Sequence, residues 1–571
     1  MIRLKAGETL IRQGDTDSDY YVLISGRLAV FVRDGQGAVV ARGRVSPGES
    51  VGEMALLLDE PRSATVVARL DSELVHFPHK GFLNLVNAHP NAAMAIARLT
   101  VRRLQGIYSS RQKKESYPTI AVFSLTPGID AGAIAHDLAA QLSTFGSSEI
   151  VKPGFAGLNF SDAPDFEQAA RLTEVEERNL FTIYFATGGD DDWSRHCLQR
   201  SDLVLFCAGA GTEPKPGLES VAAFQQVDRN LVGRFDLLMV HAPDWNRQCG
   251  TQNWIARIAP VEHHHIRSGN RGDLARLGRI IAGTANNLVL SGGGAKSFAQ
   301  LGALRAFAAA GIPIDRAGGS SMGAFVSALH CYNGSIDSLI RKTGEELKRH
   351  RPARDHTLPM ISLLSGKRLL AVSTALCSDW IIEDLPLRFF CLSADLGDAS
   401  QVEHFDGSVW TALRSSCALP GIAPPLLVGG RVLADGGILN NLPIDVMRRH
   451  FSGSTIAVDV AAYSQIRYGQ KYEMQCPSGF EILRDKLNPF ATKEPVPNIL
   501  EILFRAATLS SQLHGQQSRE TADLLITPPV QQFSVTDFDL FDELVEAGYR
   551  HTMSVLEATA KDPELKQKFW S

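Results

Sequence analysis

Along the first eighty positions the apolar residues come in short runs, at 20–24, 28–32, 65–68 and 73–77, separated by Gly, Asp, Ser and Pro. Runs of that length between turn formers predict the strands of a small β-roll. From Phe82 to Tyr108 the spacing turns helical and ends in Arg111-Gln112-Lys113-Lys114-Glu115, which predicts a connector helix followed by an exposed linker. Strand-like runs then appear at 119–123, 202–206 and 235–240, with a helical pattern at 133–142. Their alternation predicts an α/β layer around a parallel sheet.

The pattern sharpens after residue 285. Asn287-Leu288-Val289-Leu290 is followed by Gly292-Gly293-Gly294-Ala295-Lys296, and Phe298, Leu301, Leu304, Phe307 and Ala308 then recur at helical spacing. This reads as strand, glycine loop, helix. Ile312-Pro313-Ile314-Asp315, Gly318-Gly319, and an apolar helix at 322–329 repeat the arrangement, with Ser321 at the bend. Near the end, Ile499, Ile502, Leu503 and Ala506 mark an amphipathic helix that either covers the core or lies on lipid.

With 571 residues the chain is too long for one core, and about three domains are expected. The boundaries are read as 1–115, 118–285 and 286–571, a β-roll, a Rossmann-like α/β domain without a functional phosphate loop, and a second α/β domain with a C-terminal extension. A formal net charge of −5 gives no reason to expect a nucleic-acid partner. The eight cysteines are scattered without a CxxC pair, which fits reduced thiols. No secretory h-region follows Met1, and no window supplies about 18 uninterrupted apolar residues. The expected location is cytoplasmic, with contact at a membrane limited to its surface; the oligomeric state is left open.

Gly319-Ser320-Ser321-Met322-Gly323 fits GxSxG, in which flanking glycines expose a serine hydroxyl on a tight strand-to-helix turn. A helix N-cap would explain Ser321 but not the two glycines. The loop Gly292, Gly293, Gly294 directs backbone N–H groups at a helix N-terminus, a setting for a phosphate or a tetrahedral oxyanion. It has neither GxGxxG nor a terminal Gly-Lys-Ser/Thr. Asp435, before Gly436-Gly437, leaves the run 431–434, although Asp-Gly turns are common and ordinarily structural.

Other features carry less. His330, His356 and His404 could complete a Ser–His–Asp arrangement, but each reads better as a core or surface histidine. His263-His264-His265 alternates faces if it is a strand and cannot chelate one ion together, so no metal is expected. Asp190-Asp191-Asp192 reads as a solvated loop. The loop 126–132 stands where a phosphate loop would but lacks Gly-Lys-Ser/Thr, so no nucleotide hydrolysis is expected there.

In order and content, GGGAK, GGSSMG and ADGG resemble the patatin-like phospholipases, and Asp384-Leu385, Phe390, the stretch 406–419, Pro424-Pro425, Asn440-Asn441-Leu442-Pro443 and Ala457-Val458-Asp459-Val460 resemble their neuropathy target esterase branch. The resemblance runs from about residue 1 to about residue 558. It implies a patatin-like hydrolase fold and a Ser–Asp dyad without a catalytic histidine: Ser321 as nucleophile, Asp435 as base, and Gly292, Gly293 and Gly294 as the oxyanion loop. It also implies a phospholipid or lysophospholipid acyl ester as substrate and no catalytic cofactor. Ser297 departs from the family's usual glycine after Lys/Arg. An ordinary aspartate, with pKa about 3.9, is a weak base, so a desolvated pocket is expected around Asp435. Animal relatives of this branch carry an N-terminal membrane segment, which is not expected here.

Residues 52–65 resemble the phosphate-binding cassette of cyclic-nucleotide-binding domains. The resemblance assigns a ribose hydroxyl to Glu53, the cyclic phosphate to Arg62, and the cradle to the backbone of Gly52, Ser63 and Ala64. Arginine offers a planar fork to two phosphate oxygens. Ser63 in place of threonine favours cAMP over cGMP as the regulatory ligand. An alternative is that Glu53 and Arg62 only pair with each other. At the level of the whole chain, the alternative is a cAMP-responsive scaffold with an inactive hydrolase. A transcription factor would need a helix-turn-helix after the connector, where the sequence reads as α/β instead.

Overall fold

The structure, a computed structural model, describes residues 1–33, 39–58, 60–88, 117–155, 166–186, 192–214, 233–244, 249–332, 334–377, 379–461, 477–488 and 499–570. The chain divides into two compact units, Met1–Gly283 and Thr284–Ser571. Among the described residues no helix is long and apolar enough to cross a membrane.

The first unit opens with eight short strands: β1 (Ile2–Leu4), β2 (Thr9–Ile11), β3 (Tyr20–Ser25), β4 (Leu28–Arg33), β5 (Val39–Val45), β6 (Ser50–Val51), β7 (Thr65–Ala68) and β8 (Ser72–Phe77). They form two antiparallel four-stranded sheets, ordered β1-β8-β3-β6 and β2-β7-β4-β5. Leu23, Leu28, Val45, Val51, Val66 and Leu74 close the roll around a small core. The expected connector starts as a helix at His79–Ala88, and its continuation to Tyr108 lies outside the described residues.

A second layer follows in the same unit: β9 (Thr119–Ser124), β10 (Ser148–Val151), β11 (Phe181–Ala186), β12 (Leu203–Gly209), β13 (Arg234–His241) and β14 (Glu262–Arg267). They form a parallel sheet in the order β10-β11-β9-β12-β13-β14. Both faces are covered, which is why the central strands β9, β11 and β12 read as near-continuous apolar runs. Ile120 and Val122 face the helices Ala131–Leu142 and Arg271–Ile281, while Ala121 and Phe123 face Leu172, Trp193, Trp254 and Ile258. The helix Ala131–Leu142 is N-capped by Asp130, whose carboxylate accepts from Ala133 N–H. That end already holds a negative group, in keeping with the missing Lys-Ser/Thr. Of the aspartate run, Asp192 pairs with Arg195, and Asp190 and Asp191 lie outside the described residues.

The roll meets this layer through charge. Buried Asp202 receives Arg27 at 3.1 Å, Arg69 at 3.5 Å, and Arg44. Glu176, with its side chain 7% exposed, receives Arg200 at 2.9 Å and Arg27 at 3.3 Å. Burial works to raise the Glu176 pKa, but the charges of Arg200 and Arg27 outweigh it and hold the carboxyl at about 2.

The second unit is built on β15 (Asn286–Leu290), β16 (Arg316–Ser320), β17 (Arg388–Asp395), β18 (Ser400–His404), β19 (Leu426–Val428), β20 (Arg431–Asp435), β21 (Ser454–Val458) and β22 (Leu524–Ile526). The order is β19-β20-β17-β16-β15-β21-β22, with β18 also paired to β17. The run 312–315 is not the second strand of the motif region. It precedes β16, whose own residues are Arg, Ala, Gly, Gly and Ser. Small residues serve there because β16 lies between β15 and β17 with its side chains fully enclosed.

Candidate active site

β15 and β16 run parallel, and each delivers its chain into a tight turn before a helix, Phe298–Ala310 after the first and Met322–Cys331 after the second. Ser321 occupies the second turn with φ 53° and ψ −131°, a conformation a non-glycine residue rarely adopts. The flanking glycines are steric requirements. A Cβ at Gly319 would stand 2.6 Å from the Leu290 carbonyl oxygen, and one at Gly323 would stand 2.5 Å from the carbonyl oxygens of both Leu290 and Ser291. The Ser321 side chain does not cap its helix. Its hydroxyl donates to Asp435 Oδ2 at 2.6 Å, and its backbone N–H donates to Ser416 Oγ at 3.0 Å.

Asp435 ends β20, where its backbone N–H donates to the Ala418 carbonyl at 3.0 Å. Its second oxygen, Oδ1, accepts from Gly437 N–H at 2.8 Å. The side chain is sealed from solvent. Burial pushes the carboxyl up to about 7, although the bonds from Ser321 and Gly437 pull the other way. From outside the turn, Ser511 Oγ donates to the Gly437 carbonyl at 2.6 Å. Ser511 belongs to the helix Ile499–Glu520, so the amphipathic helix read from the sequence covers the base turn, while Ile499 and Ile502 stay exposed.

The glycine loop lies against the nucleophile: a Cβ on Gly292 would come within 2.8 Å of Ser321 Cβ. Its three N–H groups are not equivalent. Gly292 N–H donates to the Asn441 carbonyl at 3.2 Å, and Asn441 Nδ2 returns a bond to the Gly292 carbonyl at 3.1 Å. The expectation of three oxyanion donors is therefore narrowed, because Gly292 N–H is already engaged. Among the described residues the N–H groups of Gly293 and Gly294 have no such partner, and the Ala295 N–H donates to the Val535 carbonyl. Ser297 is buried in the 3₁₀ turn Gly294–Ser297, with Oγ 3.4 Å from where a Cβ on Gly293 would stand.

The three histidines stand elsewhere. His330 is enclosed near Ile314 and Asp315, and burial pulls its pKa down to about 4. His404 pairs with Ser393 Oγ at 2.7 Å, and His356 is exposed. None of the three hydrogen-bonds to Ser321 or Asp435.

A second polar site lies in the roll. Glu53 is buried at the start of the helix Glu53–Leu58, and Gly52 carries φ +96° beneath Arg62. Arg62 Nη1 reaches the Gly52 carbonyl at 3.4 Å and Nη2 the Asp19 carbonyl at 2.8 Å. Its carboxylate partner is Asp17, through Nε at 3.1 Å and through Nη2. The mutual Glu53–Arg62 pair weighed from sequence is thus replaced by an Asp17–Arg62 pair. Ser63 is exposed, with its hydroxyl toward Met54 Sδ, and Ala64 is half-buried. Asp17 carries no signal in the sequence, and Ser416 and Asn441 stand there only inside longer stretches of resemblance, 406–419 and 440–443.

Comparison with known proteins agrees with this layout. Residues 1–89 match the cyclic nucleotide-binding domain, residues 116–290 the neuropathy target esterase family P-loop like domain, and residues 288–448 the patatin-like phospholipases. The chain is 27% identical to patatin-like phospholipase domain-containing protein 6 of Pongo abelii over 97% of its own length. It is also 27% identical to neuropathy target esterase sws of Drosophila melanogaster over 98%, and 26% identical to lysophospholipase nte1 of Aspergillus terreus over 97%. It spans 44%, 43% and 41% of those relatives, less than half of each.

Proposed function

We propose that this chain, which carries a cyclic-nucleotide-binding β-roll and a patatin-like phospholipase domain of the neuropathy target esterase type, is a serine hydrolase of phospholipid or lysophospholipid acyl esters. The observation that carries the reading is the 2.6 Å bond from Ser321 Oγ to a buried carboxylate whose pKa is raised to about 7. A base poised near neutral pH matches the task of accepting a serine proton.

Asp435 Oδ2 takes the Ser321 proton as Oγ attacks the ester carbonyl carbon. The oxygen of that carbonyl becomes negative and is received by the N–H groups of Gly293 and Gly294, at the N-terminal end of the helix that follows. Collapse breaks the acyl C–O bond, the departing alkoxide takes the proton back from Asp435, and an acyl group remains on Ser321. Water, deprotonated by Asp435, then attacks the acyl carbon; the bond from that carbon to Ser321 Oγ breaks, Oγ takes the proton from Asp435, and the fatty acid leaves. Gly292 orients the loop through its exchange of hydrogen bonds with Asn441. The name of the Aspergillus relative favours lysophospholipid as the substrate.

The roll is read as the regulatory element, with cAMP on Arg62, Glu53 and the backbone of Gly52, Ser63 and Ala64. The domain limits are 1–115, 118–285 and 286–571. The middle domain is Rossmann-like in its parallel sheet and two helical layers, with the order of its two outer strands exchanged relative to the usual doubly wound sheet. The location is cytoplasmic, with the substrate met at a membrane surface. The test is hydrolysis of lysophosphatidylcholine with and without cAMP, alongside fluorophosphonate labelling. Label on Ser321 with fatty-acid release supports the enzyme; a folded protein with neither supports the scaffold alternative.

A further inference from the structure

The histidine run at 263–265 turns out to face two different ways. In β14 the register pairs Met239 with His265 and Leu238 with His264, so successive rings fall on opposite faces of the parallel sheet. His264 Nε2 pairs with Asp236 Oδ2 at 3.0 Å. Arg234 holds both Asp236, at 2.7 Å, and Glu262, at 2.6 Å, so that group of acids already contains its cation.

The opposite face is different in chemistry. His265 there meets His241, the last residue of β13, and Cys249, which stands just before the helix Thr251–Ile258. One ring nitrogen from each histidine and the Cys249 sulfur all lie within 4.8 Å of one another. His241 Nε2 and His265 Nδ1 are 2.9 Å apart, and Thr251 Oγ1 is 3.2 Å from Cys249 Sγ. All three side chains are buried, at 2%, 0% and 2% exposure. The charge of Arg276, which reaches the His265 carbonyl, is matched by Asp273.

We propose that His241, Cys249 and His265 form a metal site for zinc or a similar soft divalent ion, independent of the esterase centre. Two imidazoles and a thiolate are a donor set zinc favours, and a tetrahedral ion leaves the fourth position to water. With bonds of about 2.0–2.1 Å to nitrogen and 2.3 Å to sulfur, tetrahedral ligand atoms lie roughly 3.3–3.6 Å apart. Seating an ion therefore asks the two ring nitrogens to part by about half an ångström. Both rings then turn a lone pair to the ion, the proton between them moves to an outer ring nitrogen, and the Cys249 thiol releases its proton to solvent. The bound ion would tie the end of β13, the start of the next helix, and β14 at the carboxyl edge of the sheet. Open parallel sheets place their ligands at that edge.

The test uses the whole 571-residue chain without a tag. After dialysis against a chelator, zinc is returned and counted by elemental analysis, and cobalt is titrated in parallel while its absorption is followed. The expected result is one equivalent of ion per chain, and for cobalt a thiolate-to-metal charge-transfer band that zinc abolishes. Cys249→Ser and His265→Gln should each lose the band and most of the bound ion, while hydrolysis by Ser321 persists as a check that the chain is folded. Wild-type protein that binds no ion, or binds it equally in both variants, overturns the proposal. Should the variants not fold, the wild-type cobalt spectrum decides alone, because a site without thiolate gives no such band.

Discussion

Arg62 grips Asp17 with two of its nitrogens, Nε on Oδ1 at 3.1 Å and Nη2 on Oδ2, in the fork geometry that a cyclic phosphate would use. The carboxylate is held below its usual pKa by the hydrogen bond from Arg62, and it is therefore charged at neutral pH. Any cyclic nucleotide bound through Arg62 has to displace it.

Asp17→Asn should consequently tighten cyclic-nucleotide binding. Asp17 is 48% exposed, so its pair with Arg62 is worth no more than about 1 kcal/mol, and the gain should be about two- to fivefold. Calorimetry with cAMP reads this directly, and Arg62→Ala should abolish the heat. Weaker binding by Asp17→Asn would mean that Asp17 orients the arginine rather than competing for it.

Ser321→Ala and Asp435→Asn should each remove ester hydrolysis, because one loses the attacking atom and the other its proton acceptor. The pH profile carries a second check. Asp435 acts as a carboxylate, and its pKa stands at about 7, so kcat/KM should rise with pH and level off above that value. An enzyme whose base had an ordinary carboxylate pKa would already be at its plateau by pH 6.

The same shift has a cost in stability, with a definite sign. Asp435 in the folded protein binds its proton more tightly than in the unfolded chain, where the pKa is about 3.9. Its favourable contribution is complete below about pH 4 and is lost as pH rises through about 7. Asp435→Asn should therefore be inactive yet more heat-resistant than wild type at pH 8, by about 1 kcal/mol or more, with the difference shrinking at pH 5. Thermal unfolding followed by hydrogen exchange at the β16 and β20 amides, at the two pH values, measures it; a gain that is larger at pH 5 would contradict the sign.

What the sequence revealed was local. The runs at 20–24 and 65–68 correspond to Tyr20–Ser25 and Thr65–Ala68 because each strand is one uninterrupted stretch with its own turn signals. β1 and β6, with three and two residues, are too short to leave a pattern, and β16 is too poor in large side chains. Ser321 and Asp435 could be picked out because each sits in a glycine-bearing turn. Their supports could not: Ser416 is 95 residues from Ser321, Asn441 is 149 from Gly292, and Asp17 is 45 from Arg62. Those contacts exist only once strands from distant stretches lie side by side. The neighbours of His265 lie outside the histidine run for the same reason, since His241 comes from another strand and Cys249 from a helix start.

Asp202 provides a last prediction, and it concerns the first unit alone. Its side chain is 1% exposed and receives three arginines of the roll, Arg27, Arg44 and Arg69. Arg69 is itself buried, and burial together with the like charges of Arg27 and Arg44 makes its charge hard to keep. Removing the shared carboxylate leaves buried cations facing one another, which typically costs about 3–5 kcal/mol. A chain of several domains does not unfold in one step, so a single melting temperature would blur the effect. Hydrogen exchange resolves it: in Asp202→Ala, amides of β3, β4 and β12 should exchange at least tenfold faster, while those of β15 and β16 keep their wild-type rates. Equal exchange in β3 and β4 of both proteins would show that the roll stands without this cluster.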